Sequence, residues 1–509
     1  MENGTEINEL EELQQNLFRR KSSKRSRKGT ADNAILEAQV TPVEMDDRTK
    51  ILHYLQKILN PHPLEGAAPG VQTVFTLKLL PPINKLRYNT IAYTPTPPQE
   101  IYDSTLKILK GISKNRLIEL VTHDQDYYFE HTVIVLYSYI YFLDDMEFYS
   151  LLRARFCMYP PINVSPTEQV EISSRVILKV QAKVVTLLTN WFKIYQHLII
   201  RDKTKTRMLA EFIYTLYDFI NPAEWLNYHF LSILDVLVNN LNQVVPPSII
   251  HSPRTIASVW EFFVPVKEIR SYDHVIAKQI CMFDADNFCQ IKMTELMHKN
   301  WTRDNKNEVA PGVVKFTDAF NRITRYVAFL TLANEKAEVR SSLYQYFITL
   351  IDSLLTMKNF NSAMSIYYGL TINPVYRVKH LLEATLAPDL IEKMKEYKEL
   401  FTQKGLLLLK EKQEKAYGAK IPYLGVYLND LVHIEEVYAL NIKEQDNAEP
   451  ELLNYAKLRS LSEVFQKIDS FRYNTYTYIR VPLIMRFFQN LPLIDEDFLY
   501  ELSYMIYKE

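Results

Sequence analysis

The sequence predicts an all-α protein built from two irregular helical domains, and three observations support this fold class. Only 10 of the 509 residues are glycine, so few positions can form the tight β-hairpin turns that need a left-handed backbone. Apolar residues recur instead at the three- and four-residue spacing that lines one face of a helix. No internal repeat with a period of about 20 to 50 residues is visible, which disfavours a solenoid of identical units.

The composition is that of a soluble globular protein, with 47% hydrophobic and 23% charged residues. A net charge of -1 provides no overall field that would attract nucleic acid. The cysteines, Cys157, Cys281 and Cys289, have no CxxC spacing, so we predict neither a metal site nor a disulfide framework. The apolar stretch from Thr132 to Leu143 is shorter than the ~20 residues of a membrane span, and we interpret it as a buried helix. Because no signal peptide is visible at the N-terminus, we expect a cytoplasmic protein.

The chain begins with a basic segment. Seven lysines and arginines lie between Arg19 and Lys28, interleaved with serines, and such a block repels itself and cannot bury a core. We therefore predict a disordered basic tail over residues 1–45. A nuclear address, a contact with the acidic surface of the plasma membrane, a phosphorylation-controlled patch and a plain solvated tail all stay open as interpretations.

The domain plan follows from shifts in composition along the chain. We predict a short helix and a proline-rich linker over residues 46–71, the helix covering Lys50 to Leu59. A helical domain then spans residues 72–220, linker helices span 221–269, and a second helical domain spans 270–509. Three stripes with helical spacing support these assignments: Val176, Val180, Val184, Leu187, Leu188 and Trp191; Leu343, Tyr346, Phe347, Leu350, Ile351 and Leu354; and Leu458, Leu461, Val464, Phe465 and Ile468.

Motifs for covalent chemistry are absent from the sequence, which contains no phosphate-binding loop, dinucleotide fingerprint, HExxH or GxSxG. The neighbouring carboxylates Asp144 with Asp145, and Asp284 with Asp286, are predicted to be solvated faces or helix caps rather than a catalytic pair. His123 and His131 are predicted to be ordinary core or surface histidines. No cofactor is expected.

One stretch, "KNFNSAMSIYYGLTINPVYRVK" at residues 358–379, predicts a helix corner. Asn359 and Asn361 flank Phe360 where one helix ends and the next begins, because asparagine side chains bond free backbone groups at caps. Pro374 is expected to stop the second helix by forcing Asn373 out of the helical region. Tyr376 and Arg377 follow, and both residue types are enriched at protein interfaces. On pattern alone, a corner is favoured over an interface.

This stretch also resembles a segment of Ras-type guanine nucleotide exchange factors, in which NFN precedes an apolar helix and then an arginine. Three further blocks resemble the same catalytic domain in the same order: "DHVIAKQICMFDADNFCQIKMTELMHKNW" from Asp273, "FNRITRYVAFL" from Phe320 and "IPYLGVYLNDLVHIEE" from Ile421. The segment "LLNYAKLRSLSEVFQ" is similar to the helix that follows them. Upstream, residues 115–156 and 173–192 resemble the Ras exchanger motif that precedes this domain. The family's Glu-Pro-Arg close is absent, and the chain ends in "MIYKE" instead.

The resemblance implies a function in which no covalent bond is made. The chain would release GDP from a Ras, Rap or Ral type GTPase and promote GTP loading by pushing a protruding helical hairpin against the switch regions. It implies GTPase contacts at Lys278, Asn321, Tyr376 and Arg377. The hairpin falls on residues 387–401 and the helix that follows them.

The resemblance also assigns roles to individual hairpin and scaffold residues. The hairpin wedge would consist of Leu390, Glu392 and Met394, where the carboxylate would repel phosphate and compete for magnesium. Asn359, Phe360 and Asn361 would hold the corner, and Pro422 and Gly425 would shape the scaffold beneath the hairpin. Two alternatives stay open: a catalytically weak scaffold that binds a GTPase without opening it, and a nucleic-acid or membrane-surface binder acting through the basic tail.

Overall fold

The computed structural model describes residues 46–59, 100–102, 106, 108–123, 129–158, 160, 165–219, 224–241, 273–442, 452–473 and 476–507. The basic tail predicted over residues 1–45 lies outside the described residues, and so does the linker at 60–71. Residues Asp47–Glu509 form one unit by their contacts. The domain boundaries proposed above stay predictions.

Helices dominate the first part of this unit. Its elements are α1 (Asp47–Leu59), β1 (Glu100–Tyr102), β2 (Leu109–Ile112), α2 (Lys114–Val121), α3 (Phe129–Ser138), α4 (Asp145–Phe156), α5 (Pro166–Ile172), α6 (Leu178–Arg201), α7 (Lys203–Phe219) and α8 (Glu224–Leu241). The helix predicted over Lys50 to Leu59 is observed as α1, which packs on α7 and α8. The stripe that ends at Trp191 is buried on α6 from Val180 onward, and its first residue, Val176, is half-buried in the π-helical turn that precedes α6.

An aromatic cluster forms the core of this part. The Trp191 ring lies 5.2 Å from Phe148, 5.6 Å from Tyr139 and 5.8 Å from Tyr149, measured between centroids. Edge-to-face and tilted contacts at these distances add to the hydrophobic gain from burial. The apolar stretch from Thr132 to Leu143 divides into α3 and a 3₁₀ turn, Tyr139–Tyr141, which delivers Tyr139 to this cluster. Across the described residues, we find no helix with the length and apolar character of a membrane span.

The second part of the unit is also helical. Its elements are α9 (Asp273–Gln290), α10 (Met293–Leu296), α11 (Lys306–Val309), α12 (Pro311–Leu332), α13 (Ala337–Thr356), α14 (Phe360–Thr371), α15 (Asn373–Arg377), α16 (Lys379–Glu383), α17 (Pro388–Phe401), α18 (Leu406–Lys415), α19 (Gly425–Val437), β3 (Asn441–Ile442), β4 (Leu452–Asn454), α20 (Tyr455–Ser470), α21 (Pro482–Gln489) and α22 (Glu496–Ile506). The stripes of α13 and α20 are buried as predicted.

Helix α14 lies at the centre of this part. Its residues from Phe360 to Tyr367 are all buried, and α12, α13 and α9 pack around it. A helix that is buried on nearly every side is stable only when it is enclosed by other elements. The corner at Asn359 therefore begins the most enclosed helix of the second part.

A small sheet is the feature that the all-α prediction did not include. Its strand order is β1-β2-β4-β3, and Gly111 of β2 pairs with Asn454 of β4 in antiparallel register. These strands are two to four residues long. Periodicity cannot reveal such short strands, and their pairing depends on segments far apart in sequence. The all-α class is confirmed, with this sheet joining the two parts.

Candidate functional site

The NFN corner is a tight reversal between α13 and α14. Lys358 has a left-handed backbone, with φ of 62°, and Asn359 N donates to Leu354 O over 2.8 Å. This is the bond that closes a helix end when one residue turns left-handed. Asn359 Oδ1 then accepts from Ser362 N over 3.0 Å and caps α14. The predicted corner, with one helix ending and another beginning around Phe360, is confirmed.

Asp284 on α9 is the buried partner of this corner. Asn359 Nδ2, Asn361 Nδ2 and Ser362 Oγ donate to Asp284 Oδ2 over 3.0, 3.3 and 2.6 Å. The prediction that Asp284 is a solvated face or cap is wrong, because its side chain is 0% exposed. Its neighbour Asp286 does lie at the surface, where Arg480 NH2 donates to Oδ1 over 2.8 Å. The predicted cap is found at Asp144, which caps α4.

Burial changes the acid–base behaviour of this cluster. Loss of hydration raises the pKa of Asp284 above its ordinary value, and the donors of Ser362, Asn359 and Asn361 offset part of that rise. Burial also raises the pKa of the neighbouring Cys281 thiol to about 12. The cluster is thus a structural lock that joins α9 to the corner, and its carboxyl titrates differently from an exposed one.

The corner is also joined to the block that begins at Ile421. Phe360 N donates to Ile421 O over 2.9 Å, and Ile421 N donates to Lys358 O over 3.0 Å. The three sequence blocks that begin at Asp273, Lys358 and Ile421 therefore meet at one point. The resemblance had treated them as separate blocks.

Helix α14 ends at Thr371, and a second short helix follows it. The break is at Ile372, with φ of -56° and ψ of 146°, and Asn373 begins the short helix α15 with Pro374 in its first turn. Proline is well accepted there because the first amides of a helix have no partner within it. The expectation that Asn373 lies outside the helical region is therefore wrong. Within α15, Tyr376 is 64% exposed.

The residues implied to contact a GTPase lie on three different helices. Lys278 on α9 lies over the ring of Tyr478, with Nζ 5.5 Å from the centroid. Asn321 is exposed on α12, next to Phe320, whose ring packs against Tyr423 of the Ile421 block. Arg377 on α15 contacts the C-terminal helix α22.

The segment that carries Tyr478 is a feature that sequence reasoning missed. Gln279 Nε2 donates to Ile479 O over 2.8 Å, and Val481 N donates to Gln279 Oε1 over 2.8 Å. One amide side chain thus holds an extended segment against α9, beside Lys278. The family resemblance includes Gln279, but it did not indicate the segment that Gln279 binds, which is 200 residues away in the sequence.

Helices α17 and α18 form the predicted hairpin. The inner side of α17 is buried through Met394, Tyr397, Leu400 and Phe401. Tyr397 Oη and Lys393 Nζ donate to Asp352 of α13 over 3.2 and 2.8 Å. The hairpin is thereby anchored on the helix that leads into the NFN corner.

The three proposed wedge residues occupy different environments. Glu392 is exposed and pairs with Lys395 over 3.0 Å, Leu390 is half-buried, and Met394 is only 6% exposed. In this conformation Glu392 and Leu390 can reach a partner, whereas Met394 packs into the domain. The second helix presents apolar residues that the wedge assignment omitted: Leu407 is 79% and Leu408 48% exposed.

In the turn between the two hairpin helices, the backbone at Gly405 lies very close to the backbone at the end of α17. A Cβ on Gly405 would lie 1.9 Å from Glu399 O, so only glycine fits there. The turn places the exposed leucines directly after it. Because large apolar side chains are rarely this exposed without a binding role when they cluster, the start of α18 is a candidate contact surface.

The Ile421 block supports the hairpin from below. Lys410 of α18 pairs with Asp430 of α19, and Tyr423 N donates to the buried Gln413 of α18. Pro422 is buried, and a Cβ on Gly425 would lie 2.5 Å from the end of the Tyr423 ring, so a larger residue here would displace that ring. Both residues belong to the block that contacts α18 through Asp430 and Tyr423, and their role as a scaffold for the hairpin stays a prediction.

Comparison with protein-family models identifies the class. The RasGEF domain model matches residues 275–459, and the RasGEF N-terminal motif model matches residues 108–213. Together they cover more than half of the chain. The chain belongs to the family of Ras-type guanine nucleotide exchange factors.

Curated relatives agree with this assignment. The chain is 25% identical over 393 residues to Ras guanine nucleotide exchange factor A of Dictyostelium discoideum, covering 76% of this chain and 62% of the relative. It is 24% identical over 431 residues to factor S of the same organism, covering 81% and 38%. It is 27% identical over 235 residues to Ras-specific guanine nucleotide-releasing factor 1 of Mus musculus, covering 45% and 18%. The chain thus spans less than two thirds of each relative's length.

Proposed function

We propose that this chain accelerates nucleotide release from a Ras-subfamily GTPase. The observation that carries the proposal is the hairpin of α17 and α18, which sits in the RasGEF domain, is anchored on its inner side, and exposes Leu407 and Leu408. A rigidly held apolar projection can enter a partner without losing much of its own conformational freedom.

The mechanism is differential binding. The hairpin enters beside the switch regions, and Glu392 brings a carboxylate towards the positions of the nucleotide phosphates and magnesium. Like charge disfavours phosphate, and the carboxylate competes for the cation. The chain therefore binds the nucleotide-free GTPase more tightly than the loaded one, and entering GTP reverses the complex. No energy source is consumed.

Lys278, Asn321, Tyr376 and Arg377 are the contacts we propose around the hairpin. Their rigid surroundings support this assignment: Lys278 lies beside the segment held by Gln279, and Tyr376 and Arg377 follow the corner that is locked to Asp284. Fixed side chains lose less entropy on binding than free ones do. The partner is a Ras, Rap or Ral type GTPase.

The basic block from Arg19 to Lys28 is proposed to contact an acidic membrane surface. Its density of cations in the sequence supports this role. Deleting residues 1–45 should leave exchange in solution intact and abolish salt-sensitive binding to vesicles that contain phosphatidylserine. Loss of exchange in solution after this deletion would contradict a separate tethering role.

The test of the function is release of a fluorescent GDP analogue from a panel of Ras, Rap and Ral proteins. We expect faster release from at least one member, in proportion to the concentration of the chain. If folded protein accelerates none of them, the proposal fails. Binding to loaded GTPase without acceleration would instead identify a scaffold.

A further inference from the structure

Arg377 is held by the C-terminal helix. Its guanidinium carbon lies 4.1 Å from the centroid of the Tyr504 ring, and Arg377 NH2 donates to Tyr507 O over 3.5 Å. Tyr504 is 49% exposed, so this stack lies at the surface rather than in the core. The contact joins α15 to α22, two helices separated by more than a hundred residues of sequence.

An arginine held in this way can still bind a partner. A guanidinium held over an aromatic ring can still direct a terminal N–H group towards a partner carboxylate. The long side chain otherwise loses rotamer freedom when it binds, and a preformed stack removes much of that cost. The ring also attracts the cation through its quadrupole.

We propose that Tyr504 is a positioning residue for Arg377, presenting its guanidinium to a carboxylate on the GTPase. This inference rests on the proposed function. The surroundings favour an acidic partner surface, because Lys379, two residues after Arg377 in the sequence, lies over the Tyr376 ring at 5.8 Å and supplies a second cation. Glu383 offsets part of this charge through its pair with Lys379 at 3.4 Å.

The packing of α22 against the rest of the domain does not depend on Tyr504. Leu499 and Ser503 are fully buried, Asp495 caps the helix, and the Phe498 ring packs against Phe329 of α12. A substitution at Tyr504 should therefore leave the helix in place. This allows positioning to be tested without unfolding the C-terminus.

The position also has a matched control. Met505 is adjacent on α22 and 74% exposed. Met505→Ala removes exposed side-chain atoms next to the stack and leaves the Tyr504 ring present.

The test measures exchange rate against GTPase concentration for Tyr504→Ala, Tyr504→Phe, Met505→Ala, Arg377→Ala and the Tyr504→Ala/Arg377→Ala double variant. Melting temperature is measured for each. We expect Tyr504→Ala to raise the half-saturating GTPase concentration about two- to tenfold, and the double variant to match Arg377→Ala alone. Tyr504→Phe keeps the ring and should retain most activity, as should Met505→Ala.

Two results would overturn the proposal. Additive losses in the double variant would mean that Tyr504 acts independently of Arg377, and unchanged exchange in Tyr504→Ala beside an impaired Arg377→Ala would mean that the stack has no positioning role. Both leave the exchange function standing. Failure of the wild-type chain to accelerate release would overturn the proposed function and this inference together.

Discussion

Asp284 shows how far single residues could be predicted. The sequence identified the corner at Asn359 because capping is a local property of asparagine. It could not identify the carboxylate that the corner binds, because Asp284 lies 75 positions earlier and an acidic residue on a helix is usually solvated. The same limit applies to Tyr504, whose partner Arg377 is on another helix. The capping role of Asn359 could be predicted from the local sequence, whereas its distant partner Asp284 could not.

The first prediction concerns the pH dependence of stability at Asp284. The folded pKa is raised, so above the ordinary value of 3.8 the folded chain binds more protons here than the unfolded chain. This carboxyl's contribution to the free energy of unfolding is complete below that value and declines as pH rises through the folded pKa. Asp284→Asn cannot titrate and serves as the reference.

The measurement is chemical unfolding of the wild type and Asp284→Asn from about pH 4 to about pH 7. We expect the free energy of unfolding of the wild type, relative to the variant, to decrease as pH rises. An increase with pH would mean that the three hydrogen bonds outweigh the loss of hydration.

The second prediction concerns Asn321. Its side chain is exposed on α12, and alanine is the better helix former, so Asn321→Ala should leave the melting temperature unchanged or slightly higher. Exchange should nevertheless fall, by about tenfold if this side chain is a central contact. Asn239→Ala, at an exposed position on α8, is the matched control. Equal exchange rates in both variants would show that Asn321 does not contact the GTPase.

At the scale of elements, the hairpin was predicted as helix but not in its orientation. The stripe of α17 indicated an amphipathic helix, yet spacing alone does not say which apolar residues face the domain and which face a partner. The structure turns Met394 inward and exposes Leu407 on the next helix. That choice follows from the anchoring of α17 to α13 and of α18 to the Ile421 block, which are tertiary contacts.

The third prediction follows from this orientation. Leu407→Asp places a charge on a side chain that is already 79% exposed, so folding should be unaffected. Exchange should drop by about tenfold or more, because the charge must be desolvated when the hairpin enters the partner. Val170→Asp on α5, at a position 69% exposed, controls for the general effect of a surface charge. Loss of exchange in both variants would show that the effect comes from adding a surface charge and is not specific to Leu407.

At the scale of the whole described unit, the two helical parts are joined by polar contacts as well as by the sheet. Tyr137 Oη on α3 donates to Asp469 on α20 over 2.8 Å, and Arg459 pairs with Glu130 over 2.9 Å. Two irregular helical parts were predicted from periodicity. How they join was not, because the joining contacts connect residues more than three hundred positions apart.

The fourth prediction compares these two contacts. Tyr137 is 8% exposed, so Tyr137→Phe should lower the free energy of unfolding by about 1 kcal/mol through the lost hydrogen bond. The side chains of Arg459 and Glu130 are half exposed, so Glu130→Gln should change it by less than about 0.5 kcal/mol. Chemical unfolding measures both. A larger effect at Glu130 than at Tyr137 would contradict the proposed ranking.

The central claim is that the chain stabilises a nucleotide-free Ras-subfamily GTPase. The most direct measurement compares the Kd of the chain for that GTPase stripped of nucleotide and magnesium with the Kd for the same GTPase loaded with GDP. We predict binding at least about a hundredfold tighter to the nucleotide-free form, with excess GTP dissolving the complex. Equal or tighter binding to the loaded form would contradict the claim.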